Sequence, residues 1–337
     1  MKCAERSIRV VTVFLCIFLL VPLTGCFWDA PGNEQPLSYY ASEIPQAAGR
    51  TDRLRVVATA FPYYDFARAV GGDRVDVTLL VPAGRETHSF EPTPMDVVTI
   101  SECDVFLYNG GESEYWVEEV LKSAGENIPV TMAMMDLVGL AEEEFVDGMQ
   151  VSEHGEEEEE ETEYDEHIWT SPVLARELMW DVCGALCKAD WDGADYYTDN
   201  AAAYEAELEA LDLEFRDVVE HASRRTLVFG DRFPLLYFCR EYGLSYSAAF
   251  HGCASDTEPS LATLKYLIDK VDEEHIPVVY TIELSSQKIA QAIADATGAK
   301  VLTFQSCQQL SREDWENGET YVSLMHRNVE ALREGLS

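Results

Sequence analysis

Leu80-Val-Pro-Ala-Gly-Arg-Glu-Thr-His-Ser-Phe-Glu-Pro-Thr-Pro94 is the stretch on which the reading of this chain turns. It follows the strand-like alternation Val75-Asp-Val-Thr-Leu-Leu80, and Pro82, Gly84, Pro92 and Pro94 then force a rigid loop. His88 sits in the middle of that loop. A neutral imidazole is the commonest side-chain metal ligand, and loops at strand ends are where sites usually lie. Around the loop, short apolar runs alternate with helical patterns. Residues 54–60, 75–81, 104–109 and 129–134 read as strands, and 63–70, 94–101 and 115–123 as helices. That rhythm predicts a parallel sheet covered on both faces, with ligands at the carboxyl ends of its strands.

The second half repeats the pattern. Strands are expected at 226–229, 244–250, 277–281 and 300–304, and helices at 233–242, 261–274, 286–297 and 321–336. Between the halves, Tyr204, Leu208, Leu211, Phe215, Val218 and Ala222 recur at alternating spacings of four and three, which predicts one long amphipathic helix over 200–222. The expected architecture is α/β: two parallel-sheet α/β lobes joined by one long rigid helix. In that division 54–190 form the N-terminal lobe, 191–223 the linking helix and 224–337 the C-terminal lobe.

The formal charge is −38, from 62 acidic and 24 basic residues, a surface that repels nucleic acid and anionic lipid and attracts cations. At the N-terminus Lys2, Arg6 and Arg9 precede an apolar run over 10–20, too short for a stable bilayer span. Residues 1–25 therefore read as a signal peptide, and the polar, aperiodic residues 26–53 as a tether. Leu23-Thr-Gly-Cys26 resembles the bacterial lipobox, which implies cleavage before Cys26, lipidation of its thiol and anchoring at the extracytoplasmic face of the cell membrane. Six cysteines remain in the folded part, and export permits oxidation. Cys253 and Cys307, each following a strand of the second lobe, are the expected disulfide. Cys183 and Cys187 are one helical turn apart and read as neighbours on one face.

Residues 59–121, from Thr-Ala-Phe-Pro-Tyr-Tyr-Asp-Phe-Ala through the His88 loop to Val-Phe-Leu-Tyr-Asn-Gly-Gly, resemble the first lobe of the zinc/manganese solute-binding lipoproteins of bacterial ABC importers. The resemblance implies that His88 is the first metal ligand. Asp165-Glu-His-Ile-Trp-Thr-Ser-Pro172 is similar to that family's Asp-x-His-x-Trp-x-Ser-Pro motif, which implies that His167 is the second. In the second lobe the match is broken. Gly230 stands where the third ligand is expected, and Asp231 beside it reads either as an oxygen donor or as a helix N-cap. Gln305 stands at the fourth position, a possible but poor zinc ligand. Glu283, in Thr-Ile-Glu-Leu-Ser-Ser, resembles the family segment whose carboxylate lies near the site. Glu258 reads as a cap for the helix after it. His251 is the remaining candidate imidazole, although no motif places it, and His221, His275 and His326 read as surface groups.

Residues 142–166 contain fourteen Asp or Glu among twenty-five positions, which predicts a disordered acidic loop. The family often carries a His-rich insertion there, whereas this chain offers only His154. The resemblance implies a monomeric receptor that captures a divalent metal ion and delivers it to an ABC permease and its ATPase. Two imidazoles with carboxylate favour Zn2+ over Mn2+. A manganese receptor, a metal-binding adhesin or signalling lipoprotein, and an exported metal-dependent hydrolase are the other readings. The chain has no His-Glu-x-x-His, Gly-x-Ser-x-Gly or P-loop pattern, and it is read as a non-enzyme.

Overall fold

The structure is a computed structural model and describes residues 52–85, 87, 90–124, 127–150, 163–254 and 258–337. The signal peptide, the tether with Cys26, His88 and the middle of the acidic segment with His154 lie outside the described residues.

The first lobe carries a four-stranded sheet in the order β2-β1-β3-β4, built from β1 (Leu54–Ala58), β2 (Val75–Leu79), β3 (Val105–Tyr108) and β4 (Val130–Ala133). Every pairing is parallel, with Val56 level with Val77 on one side and Val105 on the other. The apolar run of β1 is buried because helices cover both faces. Those helices are α1 (Phe61–Gly71), α2 (Pro94–Ser101) and α3 (Val117–Ala124). Thr93 closes the His88 loop with a capping box: its hydroxyl accepts from the Asp96 amide, and the Asp96 carboxylate accepts from the Thr93 amide.

Two long helices follow. α4 (Pro172–Ala189) was not apparent from the sequence, because apolar residues surround much of its circumference and blur the stripe. Its start signals were present: Ser171 caps it and Pro172 occupies its first turn. α5 (Ala194–Glu220) begins six residues before the expected 200 and runs for 27 residues, about 40 Å at the helical rise. Tyr197, Ala201, Tyr204, Leu208, Leu211 and Phe215 form its buried stripe.

The second sheet has the order β6-β5-β7-β8, again all parallel, from β5 (Thr226–Phe233), β6 (Ser245–His251), β7 (Val278–Thr281) and β8 (Lys300–Thr303). Helices α6 (Leu236–Tyr242), α7 (Leu261–Glu273), α8 (Lys288–Thr297), α9 (Arg312–Asn317) and α10 (Tyr321–Gly335) complete the lobe. β5 is longer than expected, and Pro234 then ends it, so α6 starts at Leu236 rather than 233. Asp65 of α1 ties the halves together. It is buried, and its carboxylate accepts from the Tyr204 hydroxyl of α5 at 2.8 Å and the Tyr321 amide of α10 at 2.9 Å.

The flanks of the acidic segment depart from the expected disorder. The Glu143 amide donates to the Glu163 carbonyl at 3.0 Å, and the Asp165 amide to the Ala141 carbonyl at 2.9 Å. The Gln150 amide donates to the Ala249 carbonyl of β6 at 2.9 Å, and Met149 is buried beside it. Backbone pairing with the rest of the protein thus overrides local charge repulsion at both ends.

Candidate metal site

His167 begins a single turn of 3-10 helix over Ile168–Thr170 and is fully buried. Asp165 accepts from the His167 amide at 2.8 Å and lies 3.2 Å from its Nδ1, both through Oδ1. A carboxylate on one ring nitrogen fixes the tautomer and presents Nε2 as the metal-binding atom. The other motif residues support that turn. Glu166 takes the Ser113 amide at 3.0 Å and the Ser113 hydroxyl. Trp169 donates from Nε1 to the Ser306 carbonyl of the second lobe at 2.8 Å and meets the imidazole edge-on, with ring centres 5.7 Å apart. Ser171 accepts from the Leu174 amide to start α4.

Burial pushes the His167 imidazole down, but the charge and bond of Asp165, with Glu166 and Glu143 nearby, more than offset it and hold its pKa above the ordinary value. For Glu143, burial pushes the carboxyl up. The bond from His251 and the charges of His251 and His167 overcome that and hold it below the usual carboxylate range.

Glu166, next to His167 in the chain, lines a cavity of about 910 Å³ to which both lobes contribute. Glu112, Glu143, Glu163 and Glu166 from the first lobe and Asp231 and Glu258 from the second contribute carboxylates, against Arg232 and Lys288. The field in this cleft favours a cation. Among the described residues, no three His, Cys, Asp or Glu side chains converge on one metal-sized point.

The sequence-derived second-lobe candidates occupy distinct places. Asp231 lies in β5 and caps no helix. Its Oδ2 accepts from the Thr281 hydroxyl at 2.6 Å and the Ile282 amide at 3.2 Å, which joins β5 to the end of β7 while the residue still lines the cleft. Glu283 accepts from the Ser306 amide at 2.7 Å and the Ser306 hydroxyl at 2.5 Å. Gln305 is held through its backbone by Asn328, at 2.7 and 2.8 Å. Glu258 does not cap α7, because Ser260 does.

The structure explains Gly230. A Cβ there would fall 2.5 Å from the Ala290 amide nitrogen and from its Cα, so α8 packs directly on the β5 backbone and excludes any side chain. The expected Cys253–Cys307 bond is not formed; both are free thiols. Cys253 faces the cleft beside Glu143, whereas Cys307 is buried in the core under Glu283 and Asp65. Burial, with Glu166, Glu143 and Asp165 behind it, raises the Cys253 pKa and keeps that thiol protonated.

Sequence reasoning passed over Glu143 and left His251 as the remaining candidate imidazole. Glu143 was hidden in the acidic run, and His251 has no motif around it. In the structure the His251 Nδ1 lies 2.8 Å from Glu143 Oε2. The Gly252 turn packs against His167, and a Cβ on Gly252 would stand 3.1 Å from His167 Cε1.

The family described as zinc-uptake complex component A, periplasmic (ZnuA) matches residues 56–335. The high-affinity zinc uptake system protein ZnuA of Bacillus subtilis is 34% identical over 305 residues, covering 86% of this chain and 90% of that protein. The zinc-binding lipoprotein AdcA of Streptococcus pneumoniae is 33% identical over 320 residues, 94% of this chain but 60% of that longer protein. The crystal structure of the Zn(II)-bound ZnuA-like domain of S. pneumoniae AdcA superposes with a TM-score of 0.69 at 30% identity, over 84% of this chain and 99% of that domain.

Proposed function

The chain belongs to the ZnuA family of periplasmic zinc-uptake components, and from that premise we propose that it captures Zn2+ between its lobes outside the cytoplasm and delivers it to an ABC permease and its ATPase. The family is one of solute-binding receptors, and the chain is a receptor rather than an enzyme. The observation that carries the proposal is the buried His167, oriented by Asp165 and next in sequence to Glu166, which lines a carboxylate-rich cleft between the lobes. An imidazole donor in that field suits Zn2+ better than Mn2+, which prefers oxygen donors.

In this reading His88 and His167 are the first-lobe ligands. Asp231 and Glu283 are the oxygen donors to be compared, with Gln305 the weakest candidate. Asp231 has the stronger support, because it lines the cleft while Glu283 is engaged with Ser306. Lipidation at Cys26 would hold the receptor, as a monomer, at the extracytoplasmic face of the membrane. Labelling with a radioactive fatty acid tests that anchor, and a Cys26→Ala variant that still incorporates the label would sink it.

Elemental analysis of the purified protein, with Zn2+/Mn2+ competition, tests the central claim. His88→Ala and His167→Ala should each weaken zinc binding at least about tenfold, or about 1.4 kcal/mol. Parent-like zinc affinity in both variants would remove the site.

A further inference from the structure

We infer that His251 is the nitrogen ligand to zinc supplied by the second lobe, standing in for the position closed at Gly230, and that Glu143 is its positioning residue. This rests on the zinc-receptor reading and names the residue that completes its nitrogen set.

Three observations lead there. The strand position expected to supply the ligand is blocked, since α8 lies 2.5 Å from where its Cβ would be. An imidazole ligand is therefore to be sought on a neighbouring element at the same edge of the second sheet. His251 is the last residue of β6, the strand paired with β5, and is level with Phe233 at the carboxyl end. Ligands in parallel α/β sheets gather at that edge.

The second observation is the likeness between two imidazoles. His167 has Nδ1 against Asp165 at 3.2 Å, and His251 has Nδ1 against Glu143 at 2.8 Å. A carboxylate on Nδ1 is the usual outer partner of a metal-bound histidine, because it fixes the ring and leaves Nε2 with the lone pair. The two imidazoles thus share the same preparation, one in each lobe.

The third is proximity and burial. The turn that follows His251 touches the His167 ring through Gly252, which has no side chain to keep the two apart. The Glu143 side chain is only 4% exposed and that of His251 is 14% exposed. A buried carboxylate at the end of a segment otherwise spent on solvated charge needs a local reason, and orienting a ligand supplies one.

The test uses the full-length mature protein and zinc competition against a chromophoric chelator. His251→Asn keeps a donor that can reach Glu143 but cannot replace the imidazole lone pair. Zinc affinity should fall at least tenfold in that variant. Glu143→Gln, which changes the outer partner alone, should lose about 10–100-fold. His251→Cys should recover much of the zinc affinity, and its cobalt(II) form should gain a thiolate-to-cobalt charge-transfer band that the His251→Asn variant lacks. A Cys253→Ala background removes the native cleft thiol from that spectrum.

If His251→Asn binds zinc like the parent while His167→Ala does not, the receptor reading stands and this inference falls. The same holds if His251→Cys gives no new cobalt band in a folded protein. If the parent itself takes up no zinc, the receptor reading fails instead.

Discussion

Replacing Gly230 tests how this chain differs from the family pattern. Two effects oppose each other in Gly230→Ala. Gly230 is not among the residues with positive φ, so alanine fits its backbone, and reducing the number of unfolded conformers should stabilise by about 0.4–1 kcal/mol. Against that, the new methyl would sit 2.5 Å from the Ala290 nitrogen and Cα and 2.9 Å from its Cβ. Carbon atoms prefer about 3.5–4.0 Å, and the obstacle is the helix backbone rather than a flexible side chain, so α8 must retreat by roughly 1 Å. Overpacking of this kind costs about 1–3 kcal/mol. The net expectation is a loss of about 1 kcal/mol, the difference between the midpoints of those two ranges.

Gly139→Ala is the matched control. Its Cβ would meet nothing within 4 Å and its φ is ordinary, so only the favourable effect remains. Urea unfolding of metal-free protein, followed by far-ultraviolet dichroism and by tryptophan fluorescence, measures both variants and shows whether the lobes unfold together. Gly230→His, which places an imidazole where the family pattern expects a ligand, should give no tighter zinc binding. Equal stability for the two alanine variants, or a folded Gly230→His protein that binds zinc more tightly than the parent, would refute the claim that packing closed this position.

Tyr237→Phe removes a hydroxyl that accepts from the Ala141 amide at 3.0 Å and donates to the Asp165 carbonyl at 2.9 Å. It should cost about 1–3 kcal/mol for the groups left buried, with faster zinc release by stopped-flow chelation. Asp181, half-buried near Glu177, has its carboxyl pushed up to about 6, first by burial and then by that neighbour. A raised carboxyl penalises the folded state once ionised, so the penalty is absent below about pH 4 and complete above pH 6. The full shift corresponds to about 3 kcal/mol, and solvent screening of this partly exposed group reduces it, so Asp181→Asn should stabilise by about 1–2 kcal/mol at pH 7.5 and by nothing at pH 3.5. Because the His167 pKa lies above the ordinary value, protons compete with the metal from the start of acidification. Zinc affinity measured by competition should begin to fall above pH 6.5, the ordinary imidazole value, and a curve flat down to pH 5.5 would contradict this.

Most of the fold was legible because both sheets are parallel and covered. Each strand is a short apolar run between turn residues, and α5 is a stripe whose spacing no strand could use. α4 escaped because a helix buried on several sides lacks that contrast. At the site, the His167 motif was readable because its residues act on one another locally, with Asp165 on the ring, Trp169 edge-on to it, and Ser171 and Pro172 starting the next helix. The His251–Glu143 pair was not readable. Its partners are 108 positions apart, and the contact exists only because backbone pairing at Gln150 and Glu163 fixes the ends of the acidic segment. Composition reports the average of such a segment and misses one buried carboxylate within it.

The turn that carries His167 belongs to both lobes, and this bears on how the receptor admits and keeps its metal. Trp169 donates to Ser306 of the second lobe, Tyr321 of α10 donates to the Trp169 carbonyl at 2.7 Å, and Tyr237 of α6 holds the Asp165 carbonyl. Asp65 adds bonds to α5 and α10 a short distance away. Each such bond contributes about 1 kcal/mol net and costs more to break if its ends stay dry. Wide separation of the lobes at this point would break all of them together. Metal entry is therefore expected from the side where Glu143 and Cys253 line the carboxylate-rich cavity. On this account selectivity rests on where the donors stand, and the proposed His251 ligand would complete the set without wide closure.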